Sequence, residues 1–487
     1  VFKGDAVMRF VENGPSIPDE LLVAADQGEV VFFCGSGVSR QYADLPDFFG
    51  LAERVSERLP LSDGRINKLL AELKKEKSKA LFDGLVSADR LFGLLESEFP
   101  LHEVERSVAE ALKPPEGVNL AAHRSLIRLA KGPYGKLRLI TTNFDRLFDS
   151  CDYQGQIFIG PKLPDPSRDE ELDGIVYLHG CLTKDYSAAE GQGLVLTSSQ
   201  FGDAYLAEGW ATRFLKNILA RHTIVFIGYS ADDPPIRYLL EALQSKLGTV
   251  KKIYAFQDGD VETVESKWRD RGVQGIAYPK DEHQYLWDTV EAWSLRVENR
   301  EEWYEQILEM ASKGPEPLEP YQRGQVAHLA SYLDGTKAFV NDGYVLPPEW
   351  LCVFDKEVRY ANPRRINWAD RDSPTVDPFE HYQLDSDLPP EHEDRGGLNG
   401  HRKIPADAWD AFDFLESDRQ GLQPQHISSF YKCSKNLPSR IRQLGWWISK
   451  VCEQPATIWW AARQPQLHNE VLELVEHRLF RDKAFPA

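Results

Sequence analysis

The chain has 487 residues with a net charge of −19, and 42% of it is hydrophobic and 11% aromatic. That length suffices for two to four domains with a substantial core, while the acidic balance argues against a large nucleic-acid footprint, which relies on Lys and Arg clusters. No apolar run approaches the roughly 20 residues that cross a bilayer, and six scattered cysteines without C-x-x-C spacing signal neither a zinc ribbon nor a redox dithiol.

In chain order, residues 17–27 predict a short helix with Pro18 near its first turn. Residues 30–33, Val-Val-Phe-Phe, predict a buried parallel strand that ends at Gly35-Ser36-Gly37. Two glycines allow backbone amides to approach a phosphate, with hydroxyls at Ser36 and Ser39. Arg40 stands where the dinucleotide fingerprint has its third glycine, which disfavours an ordinary dehydrogenase. Residues 51–132 read as a helical insert forming one wall of a cleft.

Strands are expected at 137–141, 175–178, 194–196, 223–227 and 252–256, with helices at 209–220 and 234–247. The turn after 223–227 reads as a helix entry, capped by Asp232 or Asp233 with Pro234 at the first position. Strands alternating with helices, with polar residues gathered at strand ends, describe an α/β fold with a Rossmann-like open parallel sheet. In such sheets ligands sit beyond the carboxyl ends of the strands. One or two helices are expected over 282–310, followed by a proline-rich linker. The domain reading is therefore 1–312, a linker at 313–322, and a mainly helical region over 323–487 that holds seven of the twelve Trp residues. Within that region, helices are expected at 321–333, 406–415, 425–434, 439–452 and 467–480. Trp446, Trp447, Trp459 and Trp460 read as helix-packing residues. Lys432, Lys435, Arg440 and Arg442 read as a solvated helix face in preference to a partner or nucleic-acid contact.

Four strand-end clusters meet on one predicted edge: Gly35-Ser36-Gly37, Asn143 with Asp145, His179, and Gly228 with Ser230. Asn143 offers both donor and acceptor groups. His179, with an ordinary pKa near about 6.5, is a candidate base. Asp145 stands either near a developing positive charge or as a brace of its own turn. Cys34 reads as a buried small hydrophobe.

As an ordered set these motifs resemble the sirtuins: Cys-Gly-Ser-Gly-Val-Ser from Cys34, Leu-Pro-Asp-Phe from Leu45, Thr-Thr-Asn-Phe-Asp from Thr141, Leu-His-Gly from Leu178, and Ile-Gly-Tyr-Ser from Ile227. Ser36 stands where the family has Ala and Thr142 where it often has Gln, departures that look like those of the bacterial antiphage-defence branch. The resemblance implies NAD as substrate, with Gly35, Ser36, Gly37, Val38 and Ser39 on the pyrophosphate and Asp47 on the nicotinamide side. Thr142 joins the cofactor-binding set. Gly228 and Ser230 would lie by the phosphates or adenosine ribose, and Asn143, His179 and Asp145 at the reacting bond. The cysteines of the deacylase zinc ribbon should follow His179-Gly180, but only Cys181 is there, so no structural zinc is expected and deacylation is disfavoured.

The expected activity is a regulated NAD hydrolase that yields nicotinamide and ADP-ribose. The alternatives are a protein deacylase or ADP-ribosyltransferase, and a non-catalytic NAD or ADP-ribose sensor. The resemblance also implies a homo-oligomer and a phage-derived or partner-protein trigger, and a cytoplasmic setting without nucleic acid or membrane is the default.

Overall fold

The computed structural model describes residues 7–60, 87–168, 171–231, 252–341, 343–359, 409–415, 437–464 and 466–481, with scattered positions between them. The expected helix at 425–434, most of 234–247, and Asp232, Asp233, Pro234, Lys432 and Lys435 lie outside the described residues. The chain divides into two compact units. One comprises residues 13–15 and 23–298; the other comprises 1–12, 16–22 and 299–487. This division falls between Glu298 and Asn299, and the expected linker 313–322 lies inside the second unit, where Pro320 opens a helix.

The first unit is built on seven parallel strands: β1 (Val30–Cys34), β2 (Arg138–Thr141), β3 (Gln156–Ile159), β4 (Gly174–Tyr177), β5 (Thr223–Ile227), β6 (Ile253–Asp258) and β7 (Gln274–Tyr278). Their order is β3-β4-β2-β1-β5-β6-β7, the open α/β sheet that the sequence predicts. Every residue of β1 is buried, because helices cover both faces of a parallel sheet and a continuous apolar run suits that setting. Phe33 lies opposite Ile140 on one side and Phe226 on the other, and its ring meets that of Phe226 edge-on at 5.4 Å. Phe32, facing the other way, meets Trp293 at 5.8 Å. The chain leaves β1 for β2 on one side and later returns to β5 on the other. The β1/β5 boundary is therefore a topological switch point, where open sheets of this kind form their crevice.

The structure departs from the expectations at three places, the last of them in the second unit. Residues 194–196 form no strand; the segment runs extended beside the loop after β4, and the Val195 amide donates to the His179 carbonyl at 2.9 Å. β3 and β7 did not stand out because β3 has no buried residue and β7 buries only Ile276 and Tyr278, so neither reads as an apolar run. Ile17–Pro18 pairs as a strand with Val7–Met8, and the helix begins only at Asp19.

Between β1 and β2 stand α1 (Gly37–Ala43), α2 (Phe48–Arg58), α3 (Ala88–Glu98), α4 (Leu101–Ala111) and α5 (Ala121–Ala130). Helices α2, α3 and α4 bury Val55, Phe92, Leu95, Val104 and Val108 in a core of their own. Phe48 joins that core to the sheet core, which also takes in Phe201 and Phe226.

The second unit is mainly helical where described. Trp350, Trp447 and Trp460 are fully buried, and each indole N–H is satisfied: by the Ala311 carbonyl at 2.7 Å, the Leu346 carbonyl at 2.9 Å and an Asp355 carboxylate oxygen at 2.6 Å. Trp446 is 45% exposed, so only part of the expected Trp packing applies to it. Residues 409–415 form a turn rather than a helix. Arg440 corrects the expectation of a solvated basic face. It is buried, pairs with Asp418 at 2.8 Å and donates to the Ala330 and Ala411 carbonyls. A buried guanidinium persists only when its charge and its donors are matched in this way. Arg442 pairs with Glu470 at 2.8 Å.

Candidate active site

Two turns interlock at the switch point. The Gly35 amide donates to the Ile227 carbonyl at 2.8 Å, and the Gly37 amide to the Gly228 carbonyl at 2.9 Å. A Cβ on Gly35 would lie 2.6 Å from the Gly228 carbonyl oxygen, and one on Gly228 would lie 2.7 Å from the Val38 nitrogen. Gly228 also has φ +75°, a conformation that L side chains rarely adopt. These glycines are therefore required by backbone meeting backbone, a reason additional to any approach of phosphate.

Beyond the interlock lies a narrow pocket that opens to solvent. Ser36, Ser39, Thr142, Asn143, Asp145 and His179 all line it, together with Phe48, Leu51, Leu112, Phe201 and Tyr229. The expected residues from β1, β2 and β4 thus converge. Gly35, Gly37, Val38, Gly228 and Ser230 build the turns behind this lining. Asp47 caps α2, accepting from the Gly50 amide at 2.7 Å, and lies 3.6 Å from Arg40. Its neighbours Leu45, Pro46 and Phe48 reach the pocket instead.

One wall is polar. Asn143 donates from Nδ2 to the Gly35 carbonyl at 3.1 Å and to Ser39 Oγ at 3.4 Å. Because a carbonyl can only accept, this fixes the amide orientation and leaves Oδ1 as its acceptor for the pocket. Ser39 donates to Asp145 Oδ2 at 3.0 Å, and its oxygen stands 3.2 Å from His123 Nε2. Asp145 also accepts from the Leu147 amide at 3.1 Å, so it braces its own turn. Burial pushes the Asp145 carboxyl up to about 6, against the lowering effect of those bonds. Burial likewise lowers His123 to about 3. Thr142 Oγ1 lies 2.9 Å from Tyr229 Oη, which donates to the Cys34 carbonyl at 3.2 Å. Cys34 itself is fully buried, and burial raises its thiol far above the ordinary range.

The other wall is aromatic. His179 is 1% exposed and its ring meets Phe201 edge-on at 5.1 Å. Its Nε2 lies 2.8 Å from Tyr205 Oη. Burial lowers its pKa to about 3, which corrects the expectation of titration near about 6.5: the imidazole is neutral at any ordinary pH.

Where a zinc ribbon would follow His179-Gly180, a short loop is held by Arg146. This buried guanidinium donates to Cys181 Sγ and to Glu190 at 2.9 Å each, pairs with Asp149 at 2.5 Å and covers the Tyr177 ring at 5.4 Å. Burial pushes the Cys181 thiol up to about 11. Among the described residues, no three His, Cys, Asp or Glu side chains gather as a metal site, and no helix is long and apolar enough to cross a membrane.

Sequence reasoning missed His123, Arg146 and Tyr205. His123 lies within a helix and shows no strand-end signal. Arg146 directly follows the Asn motif, but its partners are in a loop some 35 residues away. Tyr205 had a usable cue. Thr197-Ser-Ser-Gln200 is a capping box, formed by Gln200 N–H to Thr197 Oγ1 at 3.2 Å and Thr197 N–H to Gln200 Oε1 at 2.9 Å, and it announces the helix that leads to Tyr205.

A SIR2-like domain family matches residues 137–276, which carry β2 to β6, the start of β7, Asn143 and His179. The chain carries a sirtuin-like domain. An uncharacterized protein, y4cA, of Sinorhizobium fredii is 31% identical over 329 residues, 63% of this chain and 26% of that protein. Defense-associated sirtuin 2 of Bacillus subtilis is 26% identical over 223 residues, 45% of this chain and 20% of that protein. The sirtuin-like chain thus matches about a quarter and a fifth of the length of these curated relatives. The domain match and the second relative thus agree in making the chain similar to sirtuin-like proteins, one of them defence-associated by name.

Proposed function

We propose that the sirtuin-like domain hydrolyses NAD at the nicotinamide–ribose bond, giving nicotinamide and ADP-ribose, as a regulated effector of antiphage defence. The observation that supports this reading best is the convergence of Asn143 and His179 on one pocket beside the interlocked glycine turns. The leaving nicotinamide departs neutral, so the site needs no strong general acid. It needs ribose positioning, stabilisation of an oxocarbenium-like centre and a nucleophilic water. Asn143 Oδ1 is the acceptor for a ribose hydroxyl or the water. A neutral His179 has the protonation state of a base, though a weakened one. It takes a proton late, from a hydroxyl already acidified by the neighbouring positive centre. Ser36 and Ser39, with the amides of the 35–39 turn, would hold the pyrophosphate. Asp145 acts through the turn that carries Asn143.

An unregulated NADase would deplete its own host, so residues 323–487 are proposed as a sensor or oligomerisation region answering to a phage-derived or partner-protein trigger. The experiment incubates purified protein with NAD, alone and with phage lysate, and follows nicotinamide release. Triggered release that disappears in Asn143→Ala and His179→Ala, both still folded, is the expected outcome. Full activity in both variants would refute the role assignment.

The weakened basicity of His179 and the occupation of its Nε2 by Tyr205 favour a second reading, an NAD or ADP-ribose sensor. Binding without nicotinamide release, with the trigger present, would establish it. Transfer to an acyl-lysine peptide or to protein would instead mark a deacylase or transferase.

A further inference from the structure

The helix that begins at Ser198 changes pitch after one turn. Over Asp203–Ala207 it winds as a π-helix, in which the Glu208 amide reaches back five residues to the Asp203 carbonyl at 3.0 Å. Such turns are rare, and they collect at functional sites. Two features hold this one. Thr212 Oγ1 donates to the Tyr205 carbonyl at 2.7 Å, and Gly209 takes φ +62° where the next helix starts. The wider turn exposes Leu206 by 80% and buries Tyr205, whose hydroxyl meets His179 Nε2. An element that leaves a leucine in solvent to bury a phenol beside an imidazole calls for an account beyond packing.

We propose that Tyr205 is the positioning residue of His179: its hydroxyl oxygen accepts from Nε2–H, fixes the tautomer and directs Nδ1 to the reacting ribose. Three observations support it. His179 Nε2 has one partner, Tyr205, and Nδ1 has none among the described residues. Phe201 and Tyr205 meet the ring edge-on at 5.1 and 5.9 Å and stack on each other at 6.3 Å, so together they form one aromatic surface against it. Phe201 in turn stacks on Tyr238 at 4.7 Å, so that surface is itself supported. A base must present an unprotonated nitrogen to its substrate. With Nε2 engaged, that nitrogen is Nδ1, and the neutral ring then carries its proton on Nε2. Burial holds the phenol of Tyr205 protonated, so it does not take up the substrate proton. The proton removed from a ribose hydroxyl or water rests on Nδ1 and leaves through the pocket mouth. The assignment deepens the hydrolase reading and rests on it for the role of the base, but the tautomer can be measured without turnover.

The test uses full-length protein labelled with 15N-histidine, with Asn143→Ala and His179→Gln spectra assigning the His179 signals. The expected wild-type result is a single tautomer, with Nε2 pyrrole-like and Nδ1 pyridine-like. In Tyr205→Phe the two tautomers should mix, kcat for triggered NAD hydrolysis should fall about tenfold or more, and KM should stay within about twofold. A wild-type ring protonated on Nδ1, or an unchanged tautomer in Tyr205→Phe, would overturn the proposal. If Tyr205→Phe does not fold, Thr212→Val loosens the π-turn without removing a ring. Mixed tautomers there support the assignment, and a pure Nε2–H signal refutes it. If the wild type does not hydrolyse NAD under any trigger, the hydrolase reading fails while the tautomer still decides the role of Tyr205.

Discussion

The two walls of the pocket solve the same problem, burying groups that titrate, in opposite ways. The polar wall surrounds Asp145 with donors, Ser39 and the Leu147 amide, yet burial still raises its carboxyl to about 6. The aromatic wall gives His179 one hydroxyl and two ring edges and lowers it to about 3. One wall holds a proton more tightly than water does, and the other holds it less tightly. At neutral pH the imidazole is therefore uncharged while the carboxyl, raised only to about 6, is still mostly ionised, which suits chemistry in which the positive charge belongs to the substrate.

The largest effects should fall on turnover and should separate the walls. Asn143→Ala removes a residue that joins the glycine turn, Ser39 and the pocket. We expect kcat to fall about 1,000-fold, the scale of losing a preorganised polar contact to a developing charge. His179→Gln should cost about 100-fold. Both are read from nicotinamide release by the triggered protein. Equal losses would mean that the walls act as one unit.

Next comes stability against pH. The folded pKa of His179, about 3, lies below its unfolded value near 6.5. The unfolded chain therefore binds more protons between those values, and stability from this group is complete above about pH 6.5 and declines toward pH 3. His123 acts in the same direction. His179→Gln should flatten the acid loss by several kcal/mol, at roughly 1.4 kcal/mol per pH unit, in urea unfolding followed from pH 7 to pH 4. No flattening would contradict the burial of His179.

Asp145 has the opposite sign. Its folded pKa of about 6 exceeds the ordinary 3.8, so the folded state binds more protons between those values. Its contribution is most favourable below about pH 4 and is lost as pH rises through about 6. Asp145→Asn should therefore gain on the wild type by about 2–3 kcal/mol between pH 4 and pH 7. A difference that does not vary with pH would show that the carboxyl is not desolvated. The smallest effect is expected for Ser39→Ala, about 1–2 kcal/mol of stability, since His123 and Asp145 each lose a buried partner.

The parts of this site that were legible in the sequence are those coded locally. An apolar run, a glycine pair and a polar strand end occupy a few adjacent residues, so β1, β2, β4 and β5 and the residues Ser36, Asn143 and His179 could be read directly. What could not be read depends on distant partners. The hydrogen bond between Ser39 and His123 joins residues 84 positions apart, and Arg146 meets Cys181 across 35. The ionisation of His179 was misjudged because the residue type supplies the ordinary pKa and only the surrounding rings supply the shift. Arg440 was misread for a related reason. A basic residue on a helix suggests solvent until Asp418, 22 positions upstream, is brought against it in the interior.

The interlock of Gly35 with Gly228 bears on how this domain can be redesigned. A side chain at Gly35 would run into the Gly228 carbonyl and one at Gly228 into the Val38 nitrogen, so the two turns behave as a dovetail and cannot be randomised separately. A library aimed at a different ligand should leave both glycines alone and vary Leu51 and Leu112, which line the cavity from the helical side.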